Sequence, residues 1–77
     1  MDTRFTKILK SVAELDEDFT ITVDQNLQGD LEIDSLRMID IVLNVEREFD
    51  VELSEEALIS AETVGQLWAE VSQAVAA

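Results

Sequence analysis

Asp34-Ser35-Leu36-Arg37-Met38-Ile39-Asp40-Ile41-Val42-Leu43-Asn44-Val45-Glu46-Arg47-Glu48-Phe49 is the stretch on which the fold turns. Asp34 is a good N-cap, because its carboxylate accepts hydrogen bonds from the free amides of a first helical turn. From Ser35 onward the apolar residues keep a helical period, which predicts a helix over 35–49. With Leu36 at zero and about 100° per residue, Met38, Ile41, Val42, Val45 and Phe49 fall together, roughly opposite Leu36. Leu36, Ile39 and Leu43 form a second, narrower stripe within about 60° of zero. Asp40, Glu46 and Asp50, with Arg47, border it. One stripe suffices to bury a helix on a small core. The wider one is expected inside, and the narrower one, rimmed by charge, reads as an exposed docking patch. The alternative is a bundle that wraps this helix more fully and takes both stripes into its core.

Upstream, Phe19 to Ile33 has a different character. Thr20, Ile21, Thr22 and Val23 are β-branched and disfavour a helix. Asp24, Gln25, Asn26, Gln28, Gly29 and Asp30 are loop formers. Phe19, Ile21, Val23, Leu27, Leu31 and Ile33 are apolar and are expected to pin a long ordered loop to the core; such loops are often functional. Before the loop, Phe5, Ile8, Leu9, Val12 and Leu15 mark a first amphipathic helix. Thr3 is its expected cap, and it is expected to stop near Glu14 or Leu15, since the following Asp16-Glu17-Asp18 suits a helix C-terminus poorly. Downstream, Ser54-Glu55-Glu56-Ala57-Leu58-Ile59 reads as a short helix with a Ser cap and acids in its first turn. Val64, Leu67, Trp68, Val71 and Val75 mark a last helix, and Thr63 with Gln66 matches a capping box. The expectation is all-α: a four-helix bundle of three main helices and a short third one, with the long loop between helices 1 and 2.

Composition narrows the function. The chain has 77 residues, 5 Lys+Arg against 18 Asp+Glu, a net charge of -13, and neither His nor Cys. The length allows one domain, residues 1–77. Without Cys there is no disulfide framework, and without His or Cys the Ser-His, Cys-His and zinc chemistries are excluded. The acidic balance argues against nucleic acid and anionic membrane as partners. No apolar run approaches the ~20 residues that span a bilayer. Met1 to Lys10 does not read as a secretory signal, and the expected compartment is the cytoplasm. A small acidic chain without acid–base residues is expected to be handled by enzymes rather than to be one.

Ser35 stands in the first turn of the central helix. It lacks a base and is a poor nucleophile. As an acceptor of a modification made by another enzyme it needs exposure and a fixed position, and a phosphodiester there would meet the positive end of the helix dipole. Asp24, Asn26, Gln28 and Gly29 approximate positions one, three, five and six of a calcium-binding EF-hand loop, which leaves a calcium sensor or acidic adaptor as an alternative class. Position twelve, where a bidentate Glu belongs, is Ser35. The acidic pairs Glu46/Glu48 and Glu55/Glu56 read as solvated faces. Met38, Trp68, Phe5, Phe19 and Phe49 read as core.

Leu27-Gln28-Gly29-Asp30-Leu31-Glu32-Ile33-Asp34-Ser35-Leu36, followed by Ile39 to Leu53 with its Glu46-Arg47-Glu48-Phe49, resembles the acyl carrier proteins. The resemblance extends to Thr63-Val64-Gly65-Gln66-Leu67 and so covers nearly the whole chain. It implies a right-handed bundle. It also implies 4'-phosphopantetheine on Ser35, within the motif Asp34-Ser35-Leu36, taken from coenzyme A by a magnesium-dependent phosphopantetheinyl transferase. The arm would carry acyl, aminoacyl or polyketide intermediates as thioesters. Leu36, Arg37, Ile39, Asp40, Leu43, Glu46 and Arg47 would face partners such as an acyltransferase, adenylation enzyme or ketosynthase with a basic patch, and the carrier would be a monomer. Arg37 and Arg47 stand where acids are usual, Asn44 where a small apolar residue is usual, and Glu32-Ile33 where Gly and a small residue are usual. These departures favour specialised polyketide or nonribosomal peptide biosynthesis over housekeeping fatty-acid synthesis.

Overall fold

The computed structural model describes residues 1–76, apart from the side chains of Glu55 and Ala57. Among them are four helices: α1 Thr3–Val12, α2 Ser35–Phe49, α3 Glu55–Ile59 and α4 Val64–Ala76. α1 packs on α2, α2 on α3, and α3 on α4. The core is assembled from one stripe of each helix and from the loop. Phe5 and Leu9 come from α1, Met38, Ile41, Val42 and Val45 from α2, Leu58 from α3, and Val64, Leu67 and Val71 from α4. Burying side chains of this size contributes about 1.5–3 kcal/mol each. Trp68 closes one side, its ring 4.9 Å from that of Phe5 and 6.3 Å from that of Phe49.

The caps differ from expectation at α1. Asp2, not Thr3, caps it, with its carboxylate accepting from Arg4 N at 2.8 Å. Arg4 also pairs with that carboxylate through its side chain, which holds Asp2 below the usual carboxylate range. The helix ends at Val12, earlier than Glu14 or Leu15. Glu14 turns left-handed, with φ 57, and Leu15 N reaches back to the Lys10 carbonyl at 2.9 Å. This is a Schellman closure, and it satisfies carbonyls that the last turn leaves open. At α4 the capping box forms as the sequence predicts. Gln66 N donates to Thr63 Oγ1 at 3.2 Å, and Gln66 Oε1 accepts from Thr63 N at 3.4 Å and Glu62 N at 2.7 Å. Val75, expected on the core stripe, is exposed near the end of that helix.

The segment between α1 and α2 is ordered by two means. Leu27, Leu31 and Ile33 are buried, and Phe19 and Ile21 pack against the core. Val23 does not join them and is exposed; its backbone is used instead. Gly65 N donates to Val23 O at 2.9 Å, Val64 N to Gln25 O at 3.0 Å, and Leu27 N to Glu62 O at 2.9 Å. An antiparallel bridge between Asn26 and Thr63 belongs to the same seam. The loop is thus sewn to the start of α4, and Ile33 N, bonded to Leu27 O at 2.9 Å, passes that anchorage to the start of α2.

Candidate functional site

Asp34 and Ser35 sit where the anchored loop becomes α2. The carboxylate of Asp34 accepts from Arg37 N at 2.9 Å, and its carbonyl accepts from Met38 N at 2.9 Å. Ile33 on one side and Met38 on the other are buried, so the pair between them is held by core packing while remaining exposed. Ser35 is the first residue of the helix, where unpaired amides and the helix dipole favour an anion. Its neighbouring carboxylate is engaged as the cap. Ser35 therefore presents a hydroxyl in a fixed place for another molecule's chemistry.

The two stripes of α2 separate as the periodicity predicts. Met38, Ile41, Val42 and Val45 are buried, with Phe49 half-buried against the core, whereas Leu36, Ile39 and Leu43 are 76%, 42% and 51% exposed. The reading in which the bundle takes both stripes into its core is overturned. Ile59 of α3, 59% exposed, extends the apolar surface, and a small cleft beside Ser35 is lined by Met38, Ile59 and Ala61. Sequence reasoning did not single out Ile59. No local signal marks it: adjacent residues such as Ile41 and Val42 can both be buried, and only the fold shows that Leu58 goes inside and Ile59 stays out.

The charged residues predicted around this surface have unequal surroundings. Asp40 is exposed. Glu46 is half-buried and accepts from Leu53 N at 3.1 Å, so it also ties down the chain leaving α2. Arg37 pairs with Glu14 across 3.4 Å, joining the start of α2 to the left-handed turn after α1. Arg47 is exposed on the outer face.

The EF-hand reading is corrected here. α1 ends at Val12, so no helix enters the loop at Asp24. The loop's oxygens are committed locally. Asp24 accepts from Thr22 Oγ1 at 2.7 Å, which holds it below the usual carboxylate range. Asn26 Oδ1 accepts from Gly29 N at 2.6 Å, and Asp30 from Asn26 N at 2.7 Å. Of the acidic pairs, Glu46 has the structural bond already described, Glu48 and Glu56 are exposed, and the Glu55 side chain lies outside the described residues.

Comparison with known proteins points the same way. Residues 3–71 match the model of the family described as the phosphopantetheine attachment site. An acyl carrier protein of Kineococcus radiotolerans is 36% identical over 74 residues, covering 88% of this chain and 91% of the relative. One of Coprothermobacter proteolyticus is 40% identical over 57 residues, covering 74% and 68%. Among solved structures, a proposed acyl carrier protein of Mycobacterium tuberculosis matches with a TM-score of 0.81 at 28% identity, over 90% of each chain.

Proposed function

This chain belongs to the acyl carrier proteins, and from that premise we propose that Ser35 is its attachment residue and that its 77 residues form one carrier domain. The family's members are carriers rather than enzymes and hold 4'-phosphopantetheine covalently. They work with a phosphopantetheinyl transferase and with biosynthetic enzymes. One observation carries the Ser35 reading: an exposed serine is locked at the first position of α2, behind the Asp34 cap and beside an exposed apolar stripe. A phosphodiester fits there, at the positive end of the helix and next to an open groove lined by Gln28, Glu32 and Ile33. The bound arm supplies the thiol that a chain without cysteine lacks.

The docking surface in this reading is Leu36, Ile39 and Leu43 with Asp40. A small apolar patch limits residence time, and charge raises the rate of encounter, which suits a protein that must meet and leave several enzymes. The proposed pathway is specialised, with a polyketide or aminoacyl cargo, and the proposed compartment is the cytoplasm. Arg37 and Arg47, which alter the charge of α2, and Asn44, which puts a polar side chain where a small apolar one is usual, support the first of these.

The test is to incubate the apo protein with coenzyme A, magnesium and a broad-specificity phosphopantetheinyl transferase and to weigh it. One phosphopantetheine should be gained, and none by Ser35→Ala. Loading of the holo protein by an adenylation enzyme or a polyketide acyltransferase, in preference to a fatty-acid malonyl transferase, checks the pathway.

A further inference from the structure

α2 carries two arginines, and the structure disposes of them differently. Arg37 is paired with Glu14 at 3.4 Å, so its charge is answered within the chain. Arg47 is exposed, and among the described residues it takes part in neither ion pair, Arg4–Asp2 or Arg37–Glu14. Its surroundings explain this. The positions one turn before it, at the spacings that favour helical ion pairs, are Leu43 and Asn44, and Asp50, three residues after it, is the left-handed C-cap and leaves the helical geometry that brings such pairs together. The adjacent acid, Glu46, has its carboxylate on Leu53 N at 3.1 Å.

Arg47 also lies in line with the exposed stripe. Measured from Leu36, Leu43 falls about 20° to one side and Arg47 about 20° to the other, some 6 Å further along the axis. An enzyme that covers Leu36 and Leu43 must therefore approach or cover Arg47 as well. A covered cation without an opposing charge is costly, and a cation met by another cation is repelled.

We propose that Arg47 selects the partner by charge: the enzyme that docks on α2 sets a carboxylate opposite Arg47 and a basic group opposite Asp40, with an apolar socket for Leu43 between them and another for Leu36 beyond Asp40. This rests on the carrier reading of Ser35. Its partner patch is mixed in sign, and an enzyme with a uniformly basic patch is disfavoured at one defined point.

The experiment uses the holo protein and a malonyl transferase whose docking patch is basic. The KM for carrier is measured for wild type, Arg47→Glu and Lys7→Glu. Lys7 is exposed on α1 and makes the same change in net charge away from the stripe. Arg47→Glu should lower KM about threefold to tenfold with little change in kcat, as exposed charge pairs of modest strength allow. Lys7→Glu should change it less than twofold. Single Lys or Arg to Glu reversals across the enzyme's patch should include one that inverts the preference, favouring wild type over Arg47→Glu. An unchanged or higher KM for Arg47→Glu, an equal effect of Lys7→Glu, or the absence of any inverting reversal would overturn the proposal. Failure of Ser35 to gain phosphopantetheine would instead overturn the carrier reading, and the mass of the holo protein separates the two.

Discussion

The amide of Gly65 donates to the carbonyl of Val23 at 2.9 Å, and a Cβ at position 65 would stand 3.0 Å from that oxygen and 3.1 Å from Val23 Cβ. Within a helix Ala is favoured over Gly by up to about 1 kcal/mol. Here the close approach reverses that preference. Val23 cannot simply withdraw, because Gln25 and Leu27 bind the same region through Val64 and Glu62. Gly65→Ala should destabilise the protein by about 1 kcal/mol, since overpacking costs on the order of 1–3 kcal/mol. Urea unfolding monitored by helical circular dichroism would measure it, and a stabilised variant would show that the seam yields.

Leu27 and Leu36 are two leucines with opposite assignments. Leu27 lies in a loop yet is completely buried, while Leu36 lies in a helix and is mostly exposed. Leu27→Ala should cost about 2–5 kcal/mol. Leu36→Ala should fall within about 0.5 kcal/mol of wild type in stability. It should, however, slow transfer to partner enzymes severalfold. Equal losses of stability in the two variants would contradict the division of α2 into a buried and a free face.

The Asp34 cap gives a narrower expectation. Its carboxylate satisfies Arg37 N, so Asp34→Ala should destabilise α2 by about 1 kcal/mol, and Asp34→Asn, which keeps an accepting oxygen, by a few tenths at most. Thermal melts of the three proteins at one ionic strength would compare them.

The features legible in the sequence are those that short-range rules control. The period of α2, the Asp34 cap and the Thr63–Gln66 box each depend on residues within one turn, and each forms as expected. The contribution of Leu27, Leu31 and Ile33 to the core was legible because apolar residues in a polar loop have few other roles. Contacts between distant segments were not. Nothing local marks Glu14 for a left-handed turn or Arg37 as its partner 23 residues away. Val23 looks like a core residue by composition, and only the approach of α4 shows that its backbone matters more than its side chain. At the site, the exposed stripe was visible in the pattern, whereas the tie from Glu46 to Leu53 and the reach of Ile59 toward Ser35 needed the fold.

The charge of -13 leads to a prediction about salt. A chain with so few cations repels itself when compact. Raising ionic strength from 0.01 to 0.15 M shortens the screening length from about 30 to about 8 Å. Stability should rise by about 1 kcal/mol, or about 4–8 °C in Tm for a domain of this size. Calorimetry in sodium chloride at neutral pH would check it. A fall in Tm would mean that the Arg4–Asp2 and Arg37–Glu14 pairs outweigh the general repulsion.

Glu32 offers a stabilising substitution next to the site. It has φ 55, in the left-handed region, immediately before Ile33 and Asp34. This is the position at which the resemblance to acyl carrier proteins anticipates glycine, and the backbone supplies the reason. A residue with a Cβ pays roughly 1–2 kcal/mol to sit there, while glycine does not. Glycine also loosens the unfolded chain, which returns about 0.5–1 kcal/mol of the gain. The Glu32 side chain is exposed and its removal opens no core cavity. Glu32→Gly should therefore stabilise the protein by about 0.5–1 kcal/mol. The backbone on either side is fixed by Ile33 N on Leu27 O and by the Asp34 cap, so Ser35 should keep its place and its rate of loading by the transferase. Denaturant midpoints read the first effect and mass-resolved loading rates the second. A destabilised variant would mean that Glu32 holds the turn through its side chain rather than tolerating it.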